Sequence, residues 1–122
     1  MVIHGDEPQR KEEIEECLRY PYSCVCAEFD ESKLSGVATI GQDGRILEIV
    51  EKPEKPKSRF VAMGTMVVDK DIFKYKPIKH ANGEFYFSSM MDQFSKDHHV
   101  QMVSGRVRPR FDSLDDLNWE WA

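Results

Sequence analysis

Three acidic positions in this chain stand at the end of an extended segment. Asp6 follows Met1-Val2-Ile3-His4-Gly5. A carboxylate at the end of a buried strand, beside a glycine that permits close approach, suits Mg²⁺, which takes one or two carboxylates and keeps its remaining positions for water and phosphate. The same acid also suits a helix N-cap for the segment that follows. Asp112 stands between Val107-Arg108-Pro109-Arg110 and Ser113-Leu114-Asp115-Asp116. It reads as a second Mg²⁺ ligand or as one more acid near a helix start. Glu51 closes the run Ile46-Leu47-Glu48-Ile49-Val50 and passes directly into Lys52-Pro53. A Glu there can accept hydrogen bonds from sugar hydroxyls, and Lys is a compact charge suited to a phosphate. A solvated Glu/Lys loop would have the same composition.

The other reactive side chains point to packing. Cys24 and Cys26 alternate along one strand and so share a face. Without a second cysteine pair they make a poor zinc site. His98-His99 falls in a turn, open to a metal or catalytic role. Met63/Met66 and Met90/Met91 read as core filler. Arg106, Arg108 and Arg110 alternate, as on an edge strand protected by charge, or as groups reaching for phosphate. No Gly-x-Ser-x-Gly elbow, Walker loop or dinucleotide fingerprint is present.

The elements that must position these residues follow from periodicity and turn chemistry. Met1–Ile3 reads as a strand end. Pro8 suits the first turn of a helix over residues 9–19, with Ile14, Cys17 and Leu18 inward. Tyr22–Phe29 is rich in strand formers. Residues 36–40 and 45–51 form a hairpin around Asp43-Gly44, expected to supply positive φ, and alternation along 46–51 should bury one face. Residues 52–58 are a proline-stiffened loop. A strand over 60–68, a short helix capped by Asp69, a turn at Ala81-Asn82-Gly83, a helix over 88–96 and a strand over 100–103 follow. Ser113 with Asp116 resembles a capping box for a last helix whose apolar side is Leu114, Leu117, Trp121 and Trp119. Alternating strands and helices with short connections imply an α/β fold, a mixed sheet flanked by helices, with ligands at the carboxyl ends of strands.

Composition sets the frame. The chain has 122 residues, 17 Lys+Arg against 22 Asp+Glu, a net charge of −5 and 40% hydrophobic residues. That is enough chain for one core and too little unbroken apolar sequence for a membrane span. The balance excludes a basic nucleic-acid arm and a disordered tail. Three cysteines at undistinguished spacing fit a reducing, cytoplasmic setting.

Taken in order, the blocks resemble the sugar nucleotidyltransferases, that is, the nucleoside-diphosphate-sugar pyrophosphorylases. Val2-Ile3-His4-Gly5-Asp6 resembles their strand-Gly-Asp metal motif. Gly36-Val37-Ala38, Asp43-Gly44-Arg45-Ile46 and Ile49-Val50-Glu51-Lys52-Pro53 resemble their "G-V … D-G-x-V … I-x-E-K-P" stretch. Met63-Gly64-Thr65-Met66 stands where they carry Asn/Thr-Gly-x-Tyr. Asn82-Gly83-Glu84-Phe85-Tyr86-Phe87-Ser88-Ser89 resembles "x-G-E-Y-Y-I-T-D", and Phe111-Asp112-Ser113-Leu114-Asp115-Asp116-Leu117 resembles "I-D-T-P-E-D-L".

The resemblance implies a three-layer α/β nucleotidyltransferase domain, related to the GT-A glycosyltransferases. It implies attack of a sugar-1-phosphate on a nucleoside triphosphate to give a sugar nucleotide and pyrophosphate. By motif match, Asp6 and Asp112 would hold Mg²⁺, Glu51 the sugar and Lys52 the sugar phosphate. Gly36 and Thr65 would border the sugar pocket, and Glu84 would contact the sugar or support the pocket.

Ser89 replaces the family's Asp, Met63 replaces its small or amide residue, and the last motif has a flavour of the cytidylyltransferases for acidic sugars. Nothing resembles the family's Gly-rich nucleotide-binding βα unit. Residues 1–122 are therefore expected to be a single, if incomplete, domain corresponding to the second half of the family's fold. Such a chain should have little or no activity alone, and a missing N-terminal half or a second copy of itself is the expected protein partner. A non-catalytic interaction or sugar-phosphate-binding module is the alternative. No nucleic-acid or membrane partner is implied.

Overall fold

The computed structural model describes residues 1–29, 35–107, 111 and 113–118. Arg108, Pro109, Arg110, Asp112, Trp119 and Trp121, all given roles above, lie outside the described residues. One mixed sheet contains β1 (Val2–Ile3), β2 (Ser23–Glu28), β3 (Gly36–Ile40), β4 (Ile46–Glu51), β5 (Phe60–Val67) and β6 (Gln101–Ser104). Its order is β4-β3-β5-β2-β6, with β1 also paired to β5. β2 and β6 run parallel, and the other pairs are antiparallel.

Helices α1 (Lys11–Cys17) and α2 (Phe87–Asp97) cover the two faces, giving the expected layered α/β architecture. Ser23 to Ala27 in β2 are buried, as a central strand covered on both faces must be. Cys24 and Cys26 pack with Ala38, Ile49, Met91 and Phe94 on the α2 side. Val25 and Ala27 pack with Cys17, Val37, Val61 and Val103 on the α1 side. All three cysteines are buried and free, which fits their reading as core residues.

Local expectations hold where the chemistry is short-range. Asp69 caps the 3-10 turn Lys70–Lys74 by accepting the Asp71 N–H at 2.8 Å. Gly83 has φ +90° in the turn closed by the Gly83 N–H donating to the His80 carbonyl at 2.9 Å. The Ser113 N–H donates to Asp116 Oδ2 at 2.7 Å before the 3-10 turn Leu114–Asn118. Leu114 and Leu117, expected inside, are exposed.

Three other details differ from the sequence reading. Helix α1 starts after Arg10, so Pro8 precedes it. It turns Glu13 and Cys17 inward and leaves Leu18 62% exposed. The cause is a backbone partner, since Glu13 Oε1 accepts the Arg106 N–H at 3.1 Å. In the 41–44 turn Gly44 has φ +81°, but Asp43 does not share the positive φ; its side chain accepts the Arg45 N–H at 3.1 Å. His98 serves packing: its ring stacks on Phe94 at 4.0 Å and 10°.

Gly64 fastens β1 to the sheet. The His4 N–H donates to the Gly64 carbonyl at 2.8 Å. A Cβ on Gly64 would stand 2.5 Å from His4 Cβ and 2.6 Å from Cγ. Gly64→Ala is therefore expected to destabilise the chain by about 1–3 kcal/mol, the usual range for overpacking, in urea unfolding. Faster proteolysis within residues 1–9 should accompany it. A variant as stable as the parent would show that β1 does not hold this position.

Candidate functional site

The site lies where one edge of β5 is divided between two strands. Met66 pairs with Val2 of β1 and with Cys24 of β2, so β1 and β2 lie on opposite edges of β5. Val61 likewise pairs with Val37 of β3 and with Ala27 of β2. Strands β1 and β3 therefore share an edge, both antiparallel to β5. The carboxyl end of β1 points at the start of β3 across the β5 segment 62–64. Ligands of open α/β sheets sit outside the carboxyl ends of strands, and the carboxyl end of β1 opens into this split. The first turn of α2 touches both sides of it. Phe87 meets the His4 ring edge-to-face at 6.5 Å, and Ser88 meets Glu51.

Glu51 is aimed by a bulge. Thr39 pairs with Glu48 but Ile40 pairs with Ile46, leaving Leu47 as an extra residue in β4. Ile46 and Ile49 consequently share one core, and simple alternation over 46–51 fails. Glu51, two residues beyond Ile49, points to the α2 side. Its Oε2 accepts the Ser88 hydroxyl at 2.5 Å. The Gly36–Glu51 strand pair brings Gly36 alongside, where a Cβ would lie 3.3 Å from Glu51 Oε2 and 3.4 Å from Ser88 Cβ. A side chain at position 36 would crowd the carboxylate, and Ser88 leaves Oε1 available to a ligand donor. If the site takes the sugar phosphate that the sequence resemblance implies, Ser88→Ala is expected to weaken that binding about tenfold, the loss of one hydrogen bond to a charged group, with thermal stability little changed. Equal affinity in calorimetry would show that Ser88 does not set the carboxylate.

Lys52 has φ +41°, the one positive φ on a non-glycine among the described residues. The turn is held at three points. The Lys52 N–H donates to the Ser35 carbonyl at 2.9 Å. His80 Nε2 donates to the Glu51 carbonyl at 3.2 Å, while Nδ1 accepts the Asn82 N–H at 3.2 Å, one tautomer serving both. Lys52 Nζ donates to the Tyr86 hydroxyl at 3.0 Å and lies 4.9 Å from the ring centroid. Tyr86 in turn donates to Glu84 and accepts from Asn82 Nδ2 at 2.8 Å. The Tyr86 hydrogen bond raises the Lys52 ammonium above the usual lysine value against an opposing desolvation, with smaller help from Glu51 and Glu84.

Gly36, Glu51, Lys52 and Glu84, singled out from the sequence, therefore fall in one cluster. Ser88, Tyr86, Asn82 and His80 join it unannounced. The first three lie in the Asn82–Ser89 block, whose pattern was legible without their roles. His80 had no signal.

Thr65 is fully buried, and its hydroxyl donates to Gln9 rather than facing the Glu51–Ser88 pair. Gln9 Nε2 donates to the Glu7 carbonyl at 2.7 Å, and Glu7 Oε2 accepts the Gly64 N–H at 2.9 Å. These bonds brace the 4–9 loop and leave Asp6 exposed at its tip. The Phe111 N–H donates to the Asp6 carbonyl at 2.8 Å. Among the described residues no group of three or more His, Cys, Asp or Glu could hold a metal ion. An exposed carboxylate at a strand end remains suited to Mg²⁺, which needs few protein ligands.

The family model for nucleotidyl transferases matches residues 11–106. The chain belongs to the nucleotidyl transferase family. The match takes in Gly36, Glu51, Lys52, Thr65 and Glu84, and stops short of Asp6 and Asp112. It bears out the resemblance to sugar nucleotidyltransferases. The chain is 35% identical over 74 residues to the bifunctional protein GlmU of Methanocaldococcus jannaschii, a stretch covering 61% of this chain and 18% of that protein. It also matches a solved structure from Bacillus anthracis, named as that of a glucose-1-phosphate thymidylyltransferase in complex with sucrose. That match has a TM-score of 0.64 and 26% identity over 84% of this chain and 44% of the other. This member of the nucleotidyl transferase family thus spans less than half of either relative. Among its described residues, no helix is long and apolar enough to cross a membrane.

Proposed function

We propose that this chain carries the sugar-phosphate side of a sugar nucleotidyltransferase. In the whole reaction a sugar-1-phosphate oxygen attacks the α-phosphorus of a nucleoside triphosphate, and pyrophosphate leaves. The observation that supports this most is the Glu51–Lys52 pair: a carboxylate held by Ser88 and packed closely against Gly36, followed by an ammonium held by Tyr86. Glu51 Oε1 accepts a sugar hydroxyl. Lys52 meets the phosphate and offsets the charge that builds up in phosphoryl transfer, which is driven by positioning and charge neutralisation. Gly36 borders the sugar, Glu84 supports the pocket through Tyr86, and Thr65 braces β5 against the Asp6 loop.

Asp6 and Asp112 would hold Mg²⁺. Bound there, the ion would neutralise phosphate charge. Three buried, free cysteines suit a reducing cytoplasm.

The test is calorimetric titration of the chain with glucose-1-phosphate, with and without Mg²⁺. Saturable binding that Mg²⁺ strengthens supports the reading, and its loss in Asp6→Asn supports the metal assignment. No heat with any sugar phosphate would refute the reading. Because the 122 residues contain no match to the Gly-rich nucleotide-binding unit, binding without turnover is expected when a nucleoside triphosphate is added. Robust sugar-nucleotide synthesis by this chain alone would overturn that expectation.

A further inference from the structure

We propose that Tyr86 is a positioning residue for Lys52, holding its ammonium ready for a phosphate without neutralising it. This rests on the sugar-phosphate reading of the same site. A lysine can be restrained by a carboxylate or by a neutral oxygen. A carboxylate would compete with an incoming phosphate for the same charge. Among the described residues Lys52 makes no ion pair within 4.0 Å. Its partner is the Tyr86 phenol at 3.0 Å, and Glu84 is reached only through that phenol.

The phenol is itself held. It accepts from Lys52 and from Asn82 Nδ2 at 2.8 Å, and its proton goes to Glu84. A hydroxyl has one donor and two acceptor sites, so all three are filled and its orientation is set. An ammonium has three donors. One is engaged by Tyr86, leaving two for phosphate oxygens. The positive φ at Lys52 fits this role, because sparsely populated backbone conformations persist where surrounding bonds hold a functional side chain in place. Tyr86 sits at the N-cap of α2, two residues before Ser88. The start of one helix therefore orients both charges of the Glu51–Lys52 pair.

The experiment follows the Lys52 side-chain resonance in chain labelled with ¹³C at lysine Cε, with the signal assigned by its absence in Lys52→Arg. The pH titration and the response to inorganic phosphate are compared between the parent and Tyr86→Phe. The expected result is a lower titration midpoint for Lys52 in the variant and about tenfold weaker phosphate binding, the loss of one charge-assisted hydrogen bond. An unchanged midpoint, an unchanged phosphate affinity, or a parent whose Lys52 signal ignores phosphate overturns the proposal. Should Tyr86→Phe fail to fold, Asn82→Ala frees the phenol without removing it and shifts both readouts in the same direction. Glucose-1-phosphate serves as the separate arm. If it binds no more tightly than inorganic phosphate, the sugar reading fails while the phosphate arm still decides the role of Tyr86.

Discussion

Replacing Lys52 is expected to separate binding from stability. On the proposed sugar-phosphate reading, Lys52→Ala should lose glucose-1-phosphate affinity by about 10–100-fold, the worth of a hydrogen bond from a charged donor to a phosphate. Its exposed side chain contributes little to the core. Lys52→Gly should lose the same affinity and yet be as stable as the parent, or more stable by up to about 1 kcal/mol. The reason lies in φ +41°. A left-handed conformation costs an ordinary residue about 1–2 kcal/mol, and glycine escapes that cost while giving up about 0.5–1 kcal/mol to its freer unfolded chain. Parallel calorimetry and urea unfolding measure the two effects. A Lys52→Gly variant that is both destabilised and fully competent to bind would show that the backbone strain serves the fold rather than the site.

Truncating Phe94 should have the largest effect on stability. Phe94 is fully buried in the core between α2 and the sheet. It stacks on His98 at 4.0 Å and meets Tyr22 and Tyr75 edge-to-face at 5.1 and 5.9 Å. Phe94→Ala is expected to cost about 3–5 kcal/mol, the transfer and cavity terms together. Against a typical total of about 5–15 kcal/mol, that leaves a marginal protein. Glucose-1-phosphate affinity should fall as well, because Tyr86 and Ser88 lie at the start of the helix that Phe94 anchors. Urea midpoints for the variant with and without ligand test both statements. A loss below about 1 kcal/mol would mean that α2 is not seated through this ring.

The two variants probe different links between fold and site. Lys52 acts at the ligand and leaves the core untouched. Phe94 acts on the helix whose first turn carries two of the site's hydrogen-bond partners. The Ser88 variant lies between these cases, since its hydroxyl belongs to that first turn and its partner is the carboxylate of Glu51.

Much of this protein is decided over a few residues, and that part was legible in the sequence. The strands over 23–28 and 60–67, the cap at Asp69 and the turn at Asn82-Gly83 follow from local propensities, capping oxygens and the permissive φ of glycine. The order of the short motifs pointed to the family, and it placed Gly36, Glu51, Lys52 and Glu84 among the candidates before their contacts were visible. The tertiary structure decided what those residues meet. The bulge at Leu47 settles which way Glu51 points, and it arises from pairing with β3, not from the alternation written into residues 46–51. Ser88 and Tyr86 reach Glu51 and Lys52 across 37 and 34 residues of sequence. The inward face of α1 departs from the apolar stripe for the same reason, since Glu13 answers to a backbone N–H 93 residues away. Hydrogen-bond partners at such separations depend on how a helix seats on a twisted sheet. No local pattern of apolar and polar residues specifies that angle, so the side chains were nameable from the sequence while their geometry waited for the fold.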